Sequence, residues 1–394
     1  MSKSDPLDTE PTGLDMAALI AAVDGELTST LLRYSASMPM SLITAGKFAL
    51  AAPGKVMAVT QAGGQDQDQD PDPHNLPRWP LLVLLSCQAA SPPASVDAWR
   101  QALPAAVAVE IAMAAADLLD ELADDDPSPF VREYGVGQAL NTGNLMLVMA
   151  QQTLLWSAQA GVRGEGLGVG RDEGPGNRDA AGRQTLTPNP SPLTPALLAL
   201  GALQDMLVQA AIGQHLDMLY DRMGAGEVTL EMSVEMTALK AGALVSGACR
   251  MGALMSGAED RVVDILARFG KELGSIAQLA NDIQDVLPSS FEGQFERKTD
   301  LRQRKRTIPI VFTLRDDAPE PNAVQRAFRD ERAADVDEEE LRQAVVAAGG
   351  VQFASLISEV HRQHALEALE ELEALRPGAR AILAPLVPED PTGG

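Results

Sequence analysis

The chain has 394 residues, 45% of them apolar and only 4% aromatic, with a formal net charge of −24. That is enough apolar material for one large domain or two ordinary ones. The acidic balance argues against any function that rests on basic patches, whether nucleic-acid binding or attachment to anionic membrane surfaces. An anionic small-molecule substrate would need lysines and arginines, or metal ions, gathered locally.

Ala, Leu, Met, Glu and Gln dominate the periodic stretches, and alternating β-branched runs are nearly absent, so the chain reads as all-α. In chain order, residues 1–13 read as disordered. They carry no apolar segment of signal-peptide type, and the expected compartment is the cytoplasm. Helical periodicity begins near Leu14 and runs to about Ala52. A polar low-complexity stretch, "GGQDQDQDPDPHNLP", then dominates an insert expected at about 56–77. Helices are predicted over Trp79–Ala90, Leu103–Ala123 and Val136–Gln159.

A second insert, about 161–195, is rich in Gly, Pro and Arg and predicts a mobile loop. Its string of Gly166, Gly168 and Gly170 follows no strand, which argues against a nucleotide-binding loop. From Pro195 to Val286 the pattern is helical, with breaks near Gly224–Gly226 and Gly257. Residues 287–305 read as a charged loop, and a last long helix, Val351–Leu375, stops at "RPG". The longest apolar run, "WPLLVLLSCQAA", is too short to span a bilayer, so no integral membrane segment is expected. Cys87 and Cys249 stand alone, with neither disulfide nor zinc spacing. The expectation is one domain over 14–394, interrupted by two loop inserts.

Two acidic clusters stand out from this helical background. In "VEIAMAAADLLDELADDDP", Asp117, Asp120, Glu121 and Asp124 fall at i, i+3, i+4 and i+7, which puts four like charges on one helix face. In "QLANDIQDV", Gln278, Asn281, Asp282 and Asp285 sit among residues fit for burial. A solvated acidic stripe would explain either cluster alone. Two such helices face to face would instead hold several Mg²⁺ ions between them and clamp a diphosphate. Basic companions are available in Lys240, Lys298, Arg304, Lys305 and Arg306. His361 and His364 lie beside Glu359 on a polar helix, where a metal site is not expected.

These segments resemble the trans-isoprenyl diphosphate synthase (polyprenyl synthetase) family, whose two DDxxD motifs lie on facing helices. The first is matched by Asp120, Glu121 and Asp124, with Glu in the second place. The second is matched by Asn281, Asp282 and Asp285, preceded by Gln278, with Asn in the first place. Lys240 matches the family's Lys-Thr pair, with Ala241 for Thr. "GQHLDM" at Gly213–Met218 and "DLRQRKRTIP" at Asp300–Pro309 resemble two further family segments. Gly54-Lys55 and Arg78 stand for the family's Gly-Lys…Arg-Pro, split by the first insert and with Trp79 before Pro80. Arg132 stands alone where the family has an arginine pair.

The resemblance covers roughly residues 15–315 and implies a terpenoid synthase-type helical bundle around a central apolar cavity. It implies a Mg²⁺-dependent prenyltransferase, usually a homodimer, that joins an allylic diphosphate to isopentenyl diphosphate. The implied metal ligands are Asp120, Glu121, Asp124, Asp282 and Asp285. Lys240 and Lys298 would touch the diphosphate, and Gln278 would orient ligand water or substrate. Lys55, Arg78, Arg132, Lys305 and Arg306 would contact substrate. Ala112, Met113 and Ala116, above Asp120, would floor a product tunnel roomy enough for a geranylgeranyl-length or longer chain. A class I terpene cyclase, or a non-catalytic partner subunit of a prenyl synthase, would use the same scaffold.

Overall fold

The computed structural model describes residues 14–62, 78–123, 128–163, 193–287, 300–315, 321–329 and 337–389, and among them there is no strand. The N-terminal helices are α1 (Met16–Ser35), α2 (Met40–Leu50), α3 (Val56–Ala62) and α4 (Arg78–Ala90). The centre of the chain forms α5 (Leu103–Ala123), α6 (Pro129–Tyr134), α7 (Val136–Arg163) and α8 (Leu193–Tyr220). Then come α9 (Leu230–Thr237), α10 (Ala243–Met255) and α11 (Asp260–Val286), followed by α12 (Asp300–Gln303) and α13 (Ile308–Thr313). The chain closes with α14 (Ala323–Arg329), α15 (Glu338–Ala347), α16 (Gly350–Leu375) and α17 (Ala379–Leu383).

Several boundaries differ from the sequence expectation for local reasons. The helix expected over Leu14–Ala52 splits at Pro39, which N-caps α2, because a proline lacks the N–H that a helix interior needs. The stretch assigned to the first insert begins as α3, and α7 runs four residues beyond Gln159. The charged loop at 287–305 contains α12.

Side-chain oxygens cap α1 (Asp15), α6 (Ser128), α9 (Thr229) and α15 (Asp337), satisfying amides that have no partner inside the helix.

The main core runs through α1, α4, α5, α7, α8, α10 and α11. α5 is buried on all sides from Ala105 to Ala115 and becomes polar only in its last two turns. The helix is thus a core rod with a charged tip. α11 also buries an apolar stripe, Val262, Leu266, Phe269, Ile276, Leu279 and Ile283, and Asp282 lies buried within it.

Glycines set how closely these helices approach. A Cβ on Gly213 of α8 would stand 2.4 Å from the Lys240 backbone nitrogen, and one on Gly274 of α11 would stand 2.6 Å from the Ala241 carbonyl oxygen. Between them the chain forms a π-helical turn, Ala238–Gly242, a rare geometry that concentrates at functional sites. Lys240 is therefore carried on a turn pressed between α8 and α11 by the absence of two side chains.

Among the described residues, two helical stretches are long and apolar enough to cross a membrane by length and composition alone, Ala98–Ala123 and Pro195–Tyr220. The sequence reading counts uninterrupted apolar runs, whereas helical length counts through isolated polar residues. The first is 78% buried inside the fold, as a core helix should be, and the second only 33%.

Gly213→Ala is expected to lower stability by roughly 2–3 kcal/mol, because the clash is with backbone that cannot turn aside. Gly25→Ala, on an exposed helix face with open space around it, is expected to raise stability by about 0.5–1 kcal/mol. Urea denaturation of the two variants checks both signs.

Candidate active site

The two acidic clusters share one cavity of about 330 Å³, lined by Asp120 and Glu121 from α5 and by Gln278, Asn281, Asp282 and Asp285 from α11. Its other walls include Asp217, Met236, Thr237, Lys240, Asp300, Gln303, Lys305 and Thr307. α5 ends three residues after Asp120 and α11 one residue after Asp285. Both carboxylate groups thus sit at helix C-termini, where the partial charge is already negative. The cavity gathers six carboxylates against two ammonium groups.

The two lysines are held by one buried acid. Lys240 Nζ lies 2.9 Å from Asp217 Oδ2, and Lys305 Nζ lies 3.3 Å from the same oxygen. Lys240 also faces Asp120 at 3.5 Å, and Lys305 faces Asp221 at 3.3 Å. Burial works against the Asp217 carboxylate, but the two lysines outweigh it and its pKa is lowered. Burial likewise opposes the Lys240 ammonium, yet Asp217 and Asp120 prevail and its pKa is raised.

For three further acids burial outweighs any such compensation. Burial pushes Asp282 up to about 7, against the opposing hydrogen bond that Gln278 Nε2 donates to its Oδ1 at 2.8 Å. Asp300 is pushed up to about 8, first by burial and then by Asp282, Asp285 and Asp217, and it is hydrogen-bonded to Asp285. Burial also raises Asp221, to about 6.

This donor set fits hydrated divalent ions. Six carboxylates crowd around two lysines, and Thr237 Oγ1 and Thr307 Oγ1 are buried on the cavity wall without a hydrogen-bond partner. Among the described residues no three His, Cys, Asp or Glu side chains converge as a preformed cage. Magnesium characteristically takes only one or two carboxylates and completes its shell with water and phosphate oxygens, so lining acids suit it better than a cage.

Other expected site residues are placed elsewhere. Arg306 is buried, but its guanidinium donates to the Met223 and Arg304 carbonyls and stacks over the Phe328 ring. It follows Lys305 immediately, and the two side chains part, so that Lys305 lines the cavity and Arg306 does not. Arg132 is exposed on α6 and does not line the cavity.

Ala112 and Met113 are packed in the core and Ala116 packs against it; none of the three lines this cavity, whose wall is mainly polar. Lys55 is buried beside α5 and pairs with Asp117 at 2.6 Å. Asp124 and Lys298 lie outside the described residues, as does the side chain of Arg78, whose backbone opens α4.

Sequence reasoning did not select Asp217, Asp300, Thr237 or Thr307 as site residues. Asp217 and Asp300 nevertheless fell inside "GQHLDM" and "DLRQRKRTIP", where the signal was present. Lys305 reaches the cavity through a left-handed Arg304, φ 57°, which ends α12 and turns the next side chain inward. His361 lies 2.5 Å from Glu272 of α11, a partner the sequence did not indicate.

An all-α bundle with two acidic helix tips facing across a lysine-bearing cavity defines an isoprenoid synthase-type scaffold. The sequence matches the Polyprenyl synthetase family over residues 78–347, and the chain belongs to that family. It is 32% identical over 179 residues to a geranylgeranyl diphosphate synthase of Mycobacterium tuberculosis, covering 45% of this chain and 50% of that protein. It is 29% identical over 191 residues to a nonaprenyl diphosphate synthase of the same organism, covering 47% and 55%. The chain thus spans about half the length of these curated relatives. In fold it is similar to a polyprenyl synthetase of Streptomyces coelicolor A3(2), with a TM-score of 0.63, 22% identity, and coverage of 95% of this chain and 100% of that one.

A carboxylic acid with a raised folded pKa keeps a proton that the unfolded chain has lost, so it costs stability as pH rises from its unfolded value to its folded one. In EDTA, unfolding free energy is therefore expected to fall from about pH 4 to pH 8. Asp282→Asn should remove roughly 2–4 kcal/mol of that fall. Denaturation midpoints at pH 5 and pH 8 for the two proteins check this.

Proposed function

We propose that this chain is a Mg²⁺-dependent prenyltransferase that joins an allylic diphosphate to isopentenyl diphosphate and releases pyrophosphate. The observation that carries the reading is the confrontation of Asp120 and Glu121 with Asp282 and Asp285 across a cavity that also holds Lys240 and Lys305. Bound magnesium would supply the positive charge that lets the diphosphate depart. The chain would hold it with Asp120, Glu121 and Asp124 on one side and Asp282 and Asp285 on the other, with Asp217 and Asp300 nearby.

Lys240 and Lys305 are preorganised by Asp217 to meet the diphosphate oxygens with charge-assisted hydrogen bonds. Gln278 locks the Asp282 carboxylate in orientation. Lys298 would add a further diphosphate contact, and Lys55 and Arg78 would hold isopentenyl diphosphate. The relatives' printed names, geranylgeranyl and nonaprenyl diphosphate synthase, support elongation chemistry of this class.

We further infer a cytoplasmic homodimer. Supporting the dimer, Val148 on α7 and Leu197, Leu198, Val208, Ile212 and Leu219 on α8 form an exposed apolar face, which a second copy would cover. Supporting the compartment, both cysteines are free.

Purified protein given Mg²⁺, an allylic diphosphate and isopentenyl diphosphate is expected to yield a longer prenyl diphosphate. Product chromatography showing hydrocarbon or no longer chain overturns the reading. Asp120→Asn and Asp282→Asn should each lower kcat on the order of 10²–10³-fold. The double substitution Val208→Glu/Ile212→Glu should shift the elution volume to that of a monomer without loss of helicity.

A further inference from the structure

Beside the cavity lies a second charged cluster that the reaction above leaves unexplained. Gly54 adopts a left-handed turn, φ 79°, and delivers Lys55 to the flank of α5. There the lysine side chain is only 4% exposed. Two acids of α5, seven residues apart and so on one face, attend it. Glu110 is fully buried; one of its oxygens accepts the Val56 backbone N–H at 2.7 Å, while Oε2 has no hydrogen-bond partner. Asp117 pairs with Lys55 Nζ at 2.6 Å, yet its own side chain is 53% exposed.

The two acids cannot play the same part. Glu110 has no access to water and must stay with the turn. Asp117 stands at the rim, where water can hydrate it if the pair opens. A diphosphate approaching Lys55 meets an ammonium already occupied by an anion, and the newcomer and Asp117 repel one another.

We propose that Asp117 is the exchangeable counter-ion of Lys55, a positioning and specificity residue that the incoming isopentenyl diphosphate must displace and that thereby weakens its binding. The proposal rests on the reading of Lys55 as a contact for that substrate. Glu110 stays on the turn through the Val56 N–H while Asp117 swings out to solvent, and in the empty site Asp117 balances the ammonium.

The test compares wild type with Asp117→Asn, and with Asp117→Ser as a second neutral variant. The expected result is a KM for isopentenyl diphosphate lowered about three- to tenfold relative to the KM for the allylic diphosphate. A merely structural Asp117 would move it the other way, so an unchanged or raised value overturns the proposal.

In parallel, inorganic pyrophosphate is titrated calorimetrically into each protein in EDTA. Asp117→Asn should bind it about three- to tenfold more tightly, and adding Lys55→Gln should erase the gain. Equal affinities, or a gain that survives loss of Lys55, overturn the assignment. If wild type elongates no substrate, the function reading fails while this titration still decides the role of Asp117.

Discussion

One buried carboxylate carries two ammonium groups on a single oxygen. Asp217 of α8 is 5% exposed and binds Lys240, from the π-helical turn before α10, and Lys305, from the turn after α12. The three segments are remote in sequence, and each ion would be costly to bury alone. Together they satisfy one another and fix both cations on the wall of the cavity. Removing Asp217 would take from both lysines the buried anion they share and leave them only their outer partners, Asp120 and Asp221.

The opposite walls are built on the contrary principle. Asp282 and Asp285 at the end of α11 lie close to Asp300 at the start of α12, and burial with mutual repulsion pushes Asp282 and Asp300 far above the usual carboxylate range. Helix C-termini add to the negative field. A fold that keeps such acids together accepts instability, which the proposed divalent ions would offset. The small-residue seam supports this: Gly213 and Gly274 let α8, the π turn and α11 approach until Lys240 can reach both Asp217 and Asp120.

The same economy of charge explains the flank of α5. Lys55 is balanced by one acid that is sealed in and one that faces water. Arg306, adjacent to Lys305, illustrates the limit of reading basic clusters as binding sites: its guanidinium is spent on the Met223 carbonyl and the Phe328 ring. Of the two adjacent residues, only Lys305 lines the cavity.

From sequence alone, the helical class, most helix positions and the two acidic motifs were legible, because periodicity and spacing are local properties of the chain. Asp120, Glu121, Asp282, Asp285, Gln278, Lys240 and Lys305 could all be named that way, and they line one cavity. Which acids would join them, Asp217 and Asp300, and which basic residues would turn away, Arg306 and Arg132, depended on how remote helices dock. Docking distance is set by pairs such as Gly213 with Lys240, which no local pattern encodes. Burial decided the electrostatics as well: the same Asp is an ordinary carboxylate in water and a strongly shifted one when α5, α8 and α11 close around it.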